Sequence, residues 1–322
     1  MCSVLWFQLL SLIKLYLLGF KVLVVQLLNG PVRLPELPRQ DGKVVIVTGG
    51  TKGIGYEVVR HMVSLGAHVI IGGRNEQEGI GAVRRIREQC REAKVEFRKL
   101  DLASLESVRL FAQRFKKQDL PLDVLINNAG VMLVPGGRTD DGFEPHFGIN
   151  YLGHFLLTWL LLDKLKNSGN CGSNARVVNV SSSAHSLGEI WLNDLNSCQC
   201  YSAHAAYCQS KLAQVLFSSH LHLEMQRGGF PVSSCAVDPG MVDTGLYSHL
   251  WTPLRLAQSV IARLFFRSPA EGAATVLSAA LSPATDGGGY WANGHKQRTP
   301  PVTLDPKLQL SLWEVSLQLL GL

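Results

Sequence analysis

From residue 43 onward, short apolar runs of strand length alternate with longer stretches of helical periodicity. The runs cover residues 44–48, 69–72, 95–99, 124–127, 177–181 and 232–237. Strands that alternate with helices form βαβ units, and the parallel sheet that they build is covered by helices on both faces. The sequence therefore predicts a doubly wound α/β fold, with a single domain over residues 43–300.

Composition excludes several classes of protein. The chain has 322 residues, of which 46% are hydrophobic and 17% charged, so it can bury a large core and is not disordered. Its net charge of +6 comes from scattered basic residues, which argues against nucleic-acid binding. Seven cysteines, an odd number in a large domain, indicate neither a disulfide framework nor a zinc site.

The first 28 residues form an apolar segment that differs from the domain after it. The segment is long enough to span a bilayer as a helix, but Lys14 and Lys21 interrupt it. On a helical wheel the polar residues Ser3, Gln8, Ser11, Lys14, Lys21 and Gln26 fall within about 140° and leave a broad apolar face. We predict a membrane segment, monotopic or single-pass; a cleaved secretory signal and a buried helix are the alternatives.

Two further segments flank the domain. Residues 29–42 contain three prolines and two glycines, a composition that disfavours regular structure and is typical of a linker. Residues 301–322 include an Asp-Pro pair at a plausible helix start, followed by Leu308, Leu312, Val315 and Leu319 at helical spacing. We expect a tether from the membrane segment and a C-terminal helix that packs on the domain.

A glycine-rich turn, Thr48-Gly49-Gly50-Thr51-Lys52-Gly53-Ile54-Gly55, follows the first predicted strand. Glycine at 49, 53 and 55 permits a tight turn and lets the backbone approach a pyrophosphate at the N-terminus of the next helix. The spacing of these glycines departs from GxGxxG. The prediction of a dinucleotide site therefore depends on the position of the turn between a predicted strand and a predicted helix.

The end of the second predicted strand indicates which dinucleotide binds. It reads Ile71-Gly72-Gly73-Arg74-Asn75 and lacks the acidic residue that usually binds the ribose 2′-hydroxyl of NAD. Arg74 and Lys52 offer two cations and no carboxylate where a 2′-phosphate would lie. The sequence therefore favours NADP(H) over NAD(H), unless both side chains are ordinary surface cations.

Tyr207 and Lys211 stand four residues apart in a predicted helix over 205–227, so their side chains share one face. A nearby ammonium stabilises a phenolate and lowers the tyrosine pKa, which makes the phenol a usable acid or base. Three serines, Ser181 to Ser183, follow the fifth strand at the sheet edge where such folds bind ligands. We choose Ser182 as the hydroxyl that binds a substrate oxygen.

Polar residues also follow the fourth strand, in the sequence Asn127-Asn128-Ala129-Gly130. At the carboxyl end of a central strand, these residues can hold a cofactor and brace the neighbouring strands. Asn150 lies in the helix predicted after them.

Together these motifs resemble the short-chain dehydrogenase/reductase superfamily over residues 43–300, with Pro239, Gly240 and Thr244 after the sixth strand completing the pattern. The resemblance implies a Rossmann fold, and hydride transfer between NAD(P)(H) and an alcohol or carbonyl. Tyr207 is then the general acid/base, Lys211 lowers its pKa and binds the nicotinamide ribose, and Ser182 polarises the carbonyl.

The same resemblance implies that Asn150 holds a water in a proton relay, that Asp101 contacts the adenine and that Thr244 contacts the carboxamide. The implied cofactor-binding residues are Thr48, Gly49, Thr51, Lys52, Gly53, Ile54, Gly55, Arg74, Asp101, Asn128, Ala129, Gly130, Tyr207, Lys211, Pro239, Gly240 and Thr244. It implies no metal.

Within the superfamily, LINNAGVMLVP, DGFEPHFGINYLGHFLLT and HAAYCQSKLA resemble the retinol-dehydrogenase-like branch, and nearly the whole chain resembles members that act on polyprenols in dolichol synthesis. This implies a lipophilic alcohol or aldehyde as substrate, a location at the endoplasmic reticulum membrane or a lipid droplet, and a homodimer as one compatible assembly. If the first segment is a signal, the protein is secreted instead.

Apolar residues over 246–266 suggest a lid that covers an apolar ligand or dips into the bilayer, or else a buried helix. Arg255, Arg263 and Arg267 beside it suit anionic headgroups, unless they are ordinary surface charges. Two other functions stay open: a retinal or small-carbonyl reductase, and a non-catalytic module that binds a dinucleotide.

Overall fold

Strands and helices alternate along the chain in a computed structural model that describes residues 2–34, 36–169, 173–244, 262, 265–283 and 287–322. The helices are α1 (Cys2–Asn29), α2 (Gly53–Ser64), α3 (Glu76–Gln89), α4 (Leu105–Lys116), α5 (Gly153–Ser168), α6 (Ala203–Arg227), α7 (Pro269–Leu281) and α8 (Pro306–Leu320). The strands are β1 (Val44–Thr48), β2 (His68–Gly73), β3 (Val95–Lys99), β4 (Val124–Asn127), β5 (Ala175–Val180), β6 (Val232–Asp238), β7 (Tyr290–Ala292) and β8 (His295–Gln297). Shorter helical segments are a π-helix at Phe147–Leu152 and 3₁₀ turns at Ser183–Leu187 and Pro301–Leu304.

The described strands form one sheet in the order β3-β2-β1-β4-β5-β6-β7-β8. Neighbouring strands are parallel from β3 to β7, and β8 runs antiparallel to β7. The strand order reverses between β1 and β4, and open sheets of this kind bind ligands in the crevice at that point. The predicted doubly wound fold is confirmed; the three-residue strands β7 and β8 were missed because such short runs carry no periodicity.

Helices cover both faces of the sheet, which explains why its central strands are continuously apolar. In β1, Val44 and Ile46 face one core cluster, which also contains Phe155. Val45 and Val47 face the other. All five β1 residues are buried, so a polar substitution anywhere in this strand would leave an unpaired group in the core.

The C-terminal helix α8 packs against α5 and α6. Asp305 caps its first turn, accepting hydrogen bonds from the Lys307 and Leu308 backbone amides. The Trp313 ring lies 4.9 Å from the Phe155 ring, and the Tyr151 hydroxyl hydrogen-bonds the Ser316 hydroxyl at 2.7 Å. The C-terminal helix thereby supports the π-helix that carries Asn150.

The N-terminal helix α1 lies along the domain, although the sequence predicts a tethered membrane segment. Its stretch Leu5–Asn29 is, among the described helices, the one long and apolar enough to cross a membrane. Residues with partly covered side chains, such as Phe7 and Ser11, lie on the same side of the helix as its polar residues. The broad apolar face points away from the domain, with Trp6 and Leu28 66% and 82% exposed.

Candidate active site

A cavity of about 730 Å³ opens where the carboxyl ends of β1, β4, β5 and β6 meet. The predicted site residues that line it are Gly49, Thr51, Lys52, Gly53, Ile54, Gly55, Arg74, Asp101, Asn128, Ala129, Gly130, Ser182, Tyr207, Lys211, Pro239, Gly240 and Thr244. Thr48 and Asn150 are fully buried and contact residues of the lining. The fold thus gathers residues from widely separated parts of the chain around one cavity.

The glycine turn packs closely against the loop after β4. Gly49 has a φ of +67°, and a Cβ at this position would lie 2.9 Å from the Ala129 Cα. A Cβ at Gly55 would meet the Gly49 carbonyl oxygen and the Asn128 amide. The first amides of α2 have no partners within the helix, so the turn and this helix end fit a dinucleotide pyrophosphate.

A buried hydrogen-bond network holds this loop in place. The Thr48 hydroxyl oxygen accepts from the backbone amides of Asn128 and Ala129, each at 2.9 Å, and lies 2.9 Å from His154 Nε2. His154 Nδ1 donates to the Asn150 carbonyl at 2.9 Å. Burial lowers the pKa of His154 to about 4, so the ring is neutral and its Nε2 accepts from the Thr48 hydroxyl. Sequence reasoning missed His154, whose only signal is a polar residue in an apolar helix.

At the end of β2 the predicted cations are present, but so is a carboxylate. Arg74 and Lys52 line the cavity together with Glu78. The Lys52 ammonium lies 3.7 Å from Glu78 Oε2, with the two side chains 72% and 46% exposed. The expectation that no carboxylate lies here is therefore wrong, because the first turn of α3 brings Glu78 to the turn. Exposure leaves both cations accessible to a phosphate.

The structure separates the roles of the serines after β5. Ser181 is buried, and its hydroxyl donates to the Lys211 carbonyl at 2.9 Å. Ser182 caps a 3₁₀ turn, and its hydroxyl oxygen accepts from the Ala184 amide at 3.3 Å. Among the described residues this is the single hydrogen bond of the Ser182 hydroxyl, whose proton therefore remains available for a substrate oxygen. These contacts support the choice of Ser182.

Tyr207 and Lys211 lie on one face of α6, as their spacing predicts. They are 4% and 5% exposed, and the Lys211 Nζ lies 5.8 Å from the centre of the Tyr207 ring. Lys211 donates to the Val180 carbonyl and to Gln214 Oε1, both at 2.9 Å. Burial lowers the pKa of Lys211 to about 7, while the nearby Asp238 carboxylate raises it.

Asn150 lies in the π-helix before α5, a local widening often found at functional sites. Its side chain accepts from the Val131 amide at 2.8 Å and donates to the Val131 carbonyl and the Ser210 hydroxyl, both at 3.0 Å. Asn150 thereby fixes the loop after β4 against α6. Its role in a proton relay stays a prediction.

Several residues in or beside the site were not identified from the sequence. Asp238, at the end of β6, lines the cavity and accepts from the Gly240 amide at 2.9 Å. Glu144 and His146 form a buried pair at 2.6 Å, and the His146 ring packs edge-on to the Tyr207 ring. Gln214 accepts a hydrogen bond from the Lys211 ammonium.

Among the residues the structure describes, no cluster of His, Cys, Asp or Glu is suited to a metal ion.

The N-terminal helix also contributes to the cavity. The contributing α1 residues are Leu15, Tyr16, Leu18, Gly19, Phe20 and Leu23. Their sequence favoured a membrane segment over a buried helix, because contact with the domain depends on tertiary packing.

The lid predicted over 246–266 lies mostly outside the described residues, although Phe266 lines the cavity. The expectation that Arg267 is available to headgroups is wrong. Arg267 is 3% exposed and donates to the Pro239 carbonyl and to Asn293. Its guanidinium stabilises the turn at Pro239 and Gly240 from inside the protein.

Comparison with known proteins places this geometry in a family. The family model described as short chain dehydrogenase matches residues 43–254, the part of the chain that contains the glycine turn, Ser182, Tyr207 and Lys211. The chain is a short-chain dehydrogenase. This short-chain dehydrogenase is therefore an oxidoreductase that acts on an alcohol or carbonyl group with a nicotinamide cofactor.

Curated relatives cover nearly the whole short-chain dehydrogenase chain. Polyprenol dehydrogenase of Danio rerio is 54% identical, covering 97% of each chain, and that of Homo sapiens is 48% identical, covering 96% of this chain and 95% of the relative. Retinol dehydrogenase 12 of Homo sapiens is 43% identical, covering 87% of each chain.

Solved structures agree with the fold of this short-chain dehydrogenase. An uncharacterised protein from Mycobacterium paratuberculosis is 37% identical with a TM-score of 0.68, covering 89% of this chain and 96% of its own. The RhlG/NADP active-site complex of Pseudomonas aeruginosa is 25% identical with a TM-score of 0.60, covering 76% of this chain and 91% of its own.

Proposed function

We propose that this short-chain dehydrogenase interconverts long isoprenoid alcohols and their aldehydes with NADP(H), converting polyprenol to polyprenal and dolichal to dolichol. The observation that carries the proposal is the similarity to polyprenol dehydrogenases along nearly the entire chain, α1 included. The apolar residues that α1 adds to the cavity support a lipophilic substrate.

The described side chains can perform each proton-transfer and binding role that aldehyde reduction needs. When bound in this cavity, NADPH would supply the hydride that the carbonyl carbon accepts. The Ser182 hydroxyl donates a hydrogen bond to the carbonyl oxygen, and Tyr207 transfers its phenolic proton to that oxygen, which becomes the alcohol hydroxyl. Lys211 in its charged form stabilises the phenolate that results. Alcohol oxidation uses the same groups in reverse.

NADP(H) as the preferred cofactor is supported by two exposed cations, Arg74 after β2 and Lys52 in the glycine turn. Lys52 and Arg74 line this part of the cavity and can bind a 2′-phosphate with charge-assisted hydrogen bonds. The Glu78 carboxylate beside Lys52 offsets part of this positive charge. We therefore propose NAD(H) as the second cofactor. We further propose that the outward apolar face of α1 places the enzyme on the endoplasmic reticulum membrane or on a lipid droplet.

Product formation by full-length protein in detergent micelles tests this function. Polyprenal, dolichal and retinal would each be supplied with NADPH or NADH, beside the Tyr207→Phe variant. We expect turnover of the long isoprenoids with NADPH, lost in the variant. The similarity to retinol dehydrogenase 12 makes retinal the competing substrate. If retinal is the single substrate that is reduced, the protein acts on retinoids and the proposal is wrong. If the protein binds NADPH but reduces none of the aldehydes, the proposed catalytic function is contradicted.

A further inference from the structure

The helix α1 is attached to two separate parts of the active-site rim. Near its N-terminus, Gln8 Nε2 donates to the Tyr201 carbonyl at 2.8 Å, just before the helix that carries Tyr207. Near its C-terminus, Gln26 Nε2 donates to the Met241 carbonyl at 3.2 Å, and the Met241 amide donates to Gln26 Oε1 at 3.0 Å. Met241 directly follows Pro239 and Gly240 and lines the cavity with them, so α1 joins this turn to the segment that leads into α6.

Between these attachments, one stripe of α1 faces the cavity. Leu15, Gly19 and Leu23 are spaced four residues apart, so they follow one another along one side of the helix over about 12 Å. All three are partly covered by the domain. Leu15 packs against the buried cluster of Ala184, Tyr207 and Cys208, so the stripe begins beside the proton donor.

Glycine at position 19 leaves a gap in this stripe. A Cβ built at Gly19 would have the Met241 Cε, 4.0 Å away, as its nearest neighbour beyond the helix. The backbone there has no positive φ and no crowding, so local structure does not demand glycine. A large side chain at 19 would instead fill the space between α1 and Met241.

We infer that α1 is a wall of the substrate channel, that the stripe of Leu15, Gly19 and Leu23 binds one extended apolar chain along the helix axis, and that Gly19 sets the width of the channel. This inference rests on the proposed function, because it specifies how that substrate binds. The opposite face of α1 is exposed and apolar, so a chain leaving the channel beside α1 enters lipid and not water.

The test compares two tryptophan substitutions in full-length protein. Gly19→Trp fills the channel, whereas Leu17→Trp changes a position of α1 where the native side chain is 65% exposed. Aldehydes of 5, 10, 15 and 20 carbons and polyprenal would be assayed with NADPH, and NADPH affinity would be measured separately by fluorescence. For Gly19→Trp we expect a loss of at least about tenfold in kcat/KM for the longest aldehydes and an unchanged value for the shortest.

Leu17→Trp should match the native enzyme on every aldehyde, and NADPH affinity should be unchanged in both variants. Gly19→Leu gives a smaller graded loss if the tryptophan variant does not fold. The proposed channel would be contradicted if kcat/KM fell equally for aldehydes of all chain lengths while NADPH binding stayed intact, or if kcat/KM fell for none of them. If the native enzyme does not reduce polyprenal, that result contradicts the proposed function but not the channel. The effect of chain length is then measured with the longest aldehyde that the enzyme does reduce.

Discussion

Gln26 and Met241 lie 215 residues apart in the chain, yet the side-chain amide of Gln26 pairs with both backbone polar atoms of Met241. Gln26 is 6% exposed, and it is the one buried side chain among those described in α1. A helix whose composition suits a membrane is thus bonded to the turn that lines the cofactor cavity. The attachment of α1 and the geometry of the site are therefore coupled.

Replacing Gln26 with leucine should disturb substrate binding more than catalysis. The substitution keeps the volume but removes both hydrogen bonds, and it leaves the Met241 amide without a partner at a cost of about 1–3 kcal/mol. We expect KM for a long aldehyde to rise about tenfold with kcat nearly unchanged. Steady-state kinetics checks this, with Lys21→Gln on the exposed side of α1 as the control. An unchanged KM would show that the pairing does not position α1.

Tyr207→Phe should remove nearly all turnover and leave NADPH binding intact. Loss of a general acid/base costs about 10²–10⁴-fold in rate, and the phenyl ring preserves the packing against His146. Tyr201→Phe is the matched control, because that hydroxyl donates to the Val134 backbone carbonyl. Activity would be followed by NADPH oxidation. A Tyr207 variant with native kcat would refute the assignment.

Lys52→Asp combined with Arg74→Ala should shift the cofactor preference toward NAD(H). Each charge-assisted hydrogen bond to a phosphate is worth about 1.5–3 kcal/mol, so the ratio of kcat/KM for NADPH over NADH should fall at least about tenfold. Glu78→Gln should move the ratio the other way, since it removes the carboxylate beside Lys52. If none of the three substitutions changes the ratio of kcat/KM for NADPH over NADH, the 2′-phosphate site is contradicted.

Aldehyde reduction should slow as the pH rises through neutrality. Because burial lowers the pKa of Lys211 to about 7, its ammonium is present below that pH and is lost above it. The phenolate formed by Tyr207 loses its stabilising charge on the alkaline side, so kcat/KM for NADPH, which reports free-enzyme groups, should fall there. A profile flat from pH 6 to 8 would argue against this titration.

Gln214→Leu should move that fall to lower pH. The Gln214 oxygen accepts from the Lys211 ammonium, and a hydrogen bond to the charged form raises the pKa. Its loss, worth about 1.5–3 kcal/mol, should shift the profile by roughly one unit or more. A Gln214 variant with the native profile would show that the Val180 carbonyl and the Asp238 carboxylate stabilise the ammonium without Gln214.

The sheet and most of the cavity lining could be predicted because their signals are local. β1, β3 and β4 occupy the residues predicted from apolar runs, and Tyr207 and Lys211 share a face because an α-helix repeats every 3.6 residues. The glycine turn follows from a local backbone demand, because Gly49 and Gly53 have φ values of +67° and +58° that glycine adopts without strain.

Tertiary structure alone decided which residues meet from distant parts of the chain. The sequence by itself determined a doubly wound domain, a dinucleotide turn and an apolar N-terminal helix, since each depends on periodicity or spacing over a few residues. The position of Glu78 beside Lys52, the burial of Arg267 and the pairing of Gln26 with Met241 depend on how helices and loops pack after the sheet has formed. These contacts have no periodic signature, because the partners are brought together by the fold and not by neighbouring positions in the sequence.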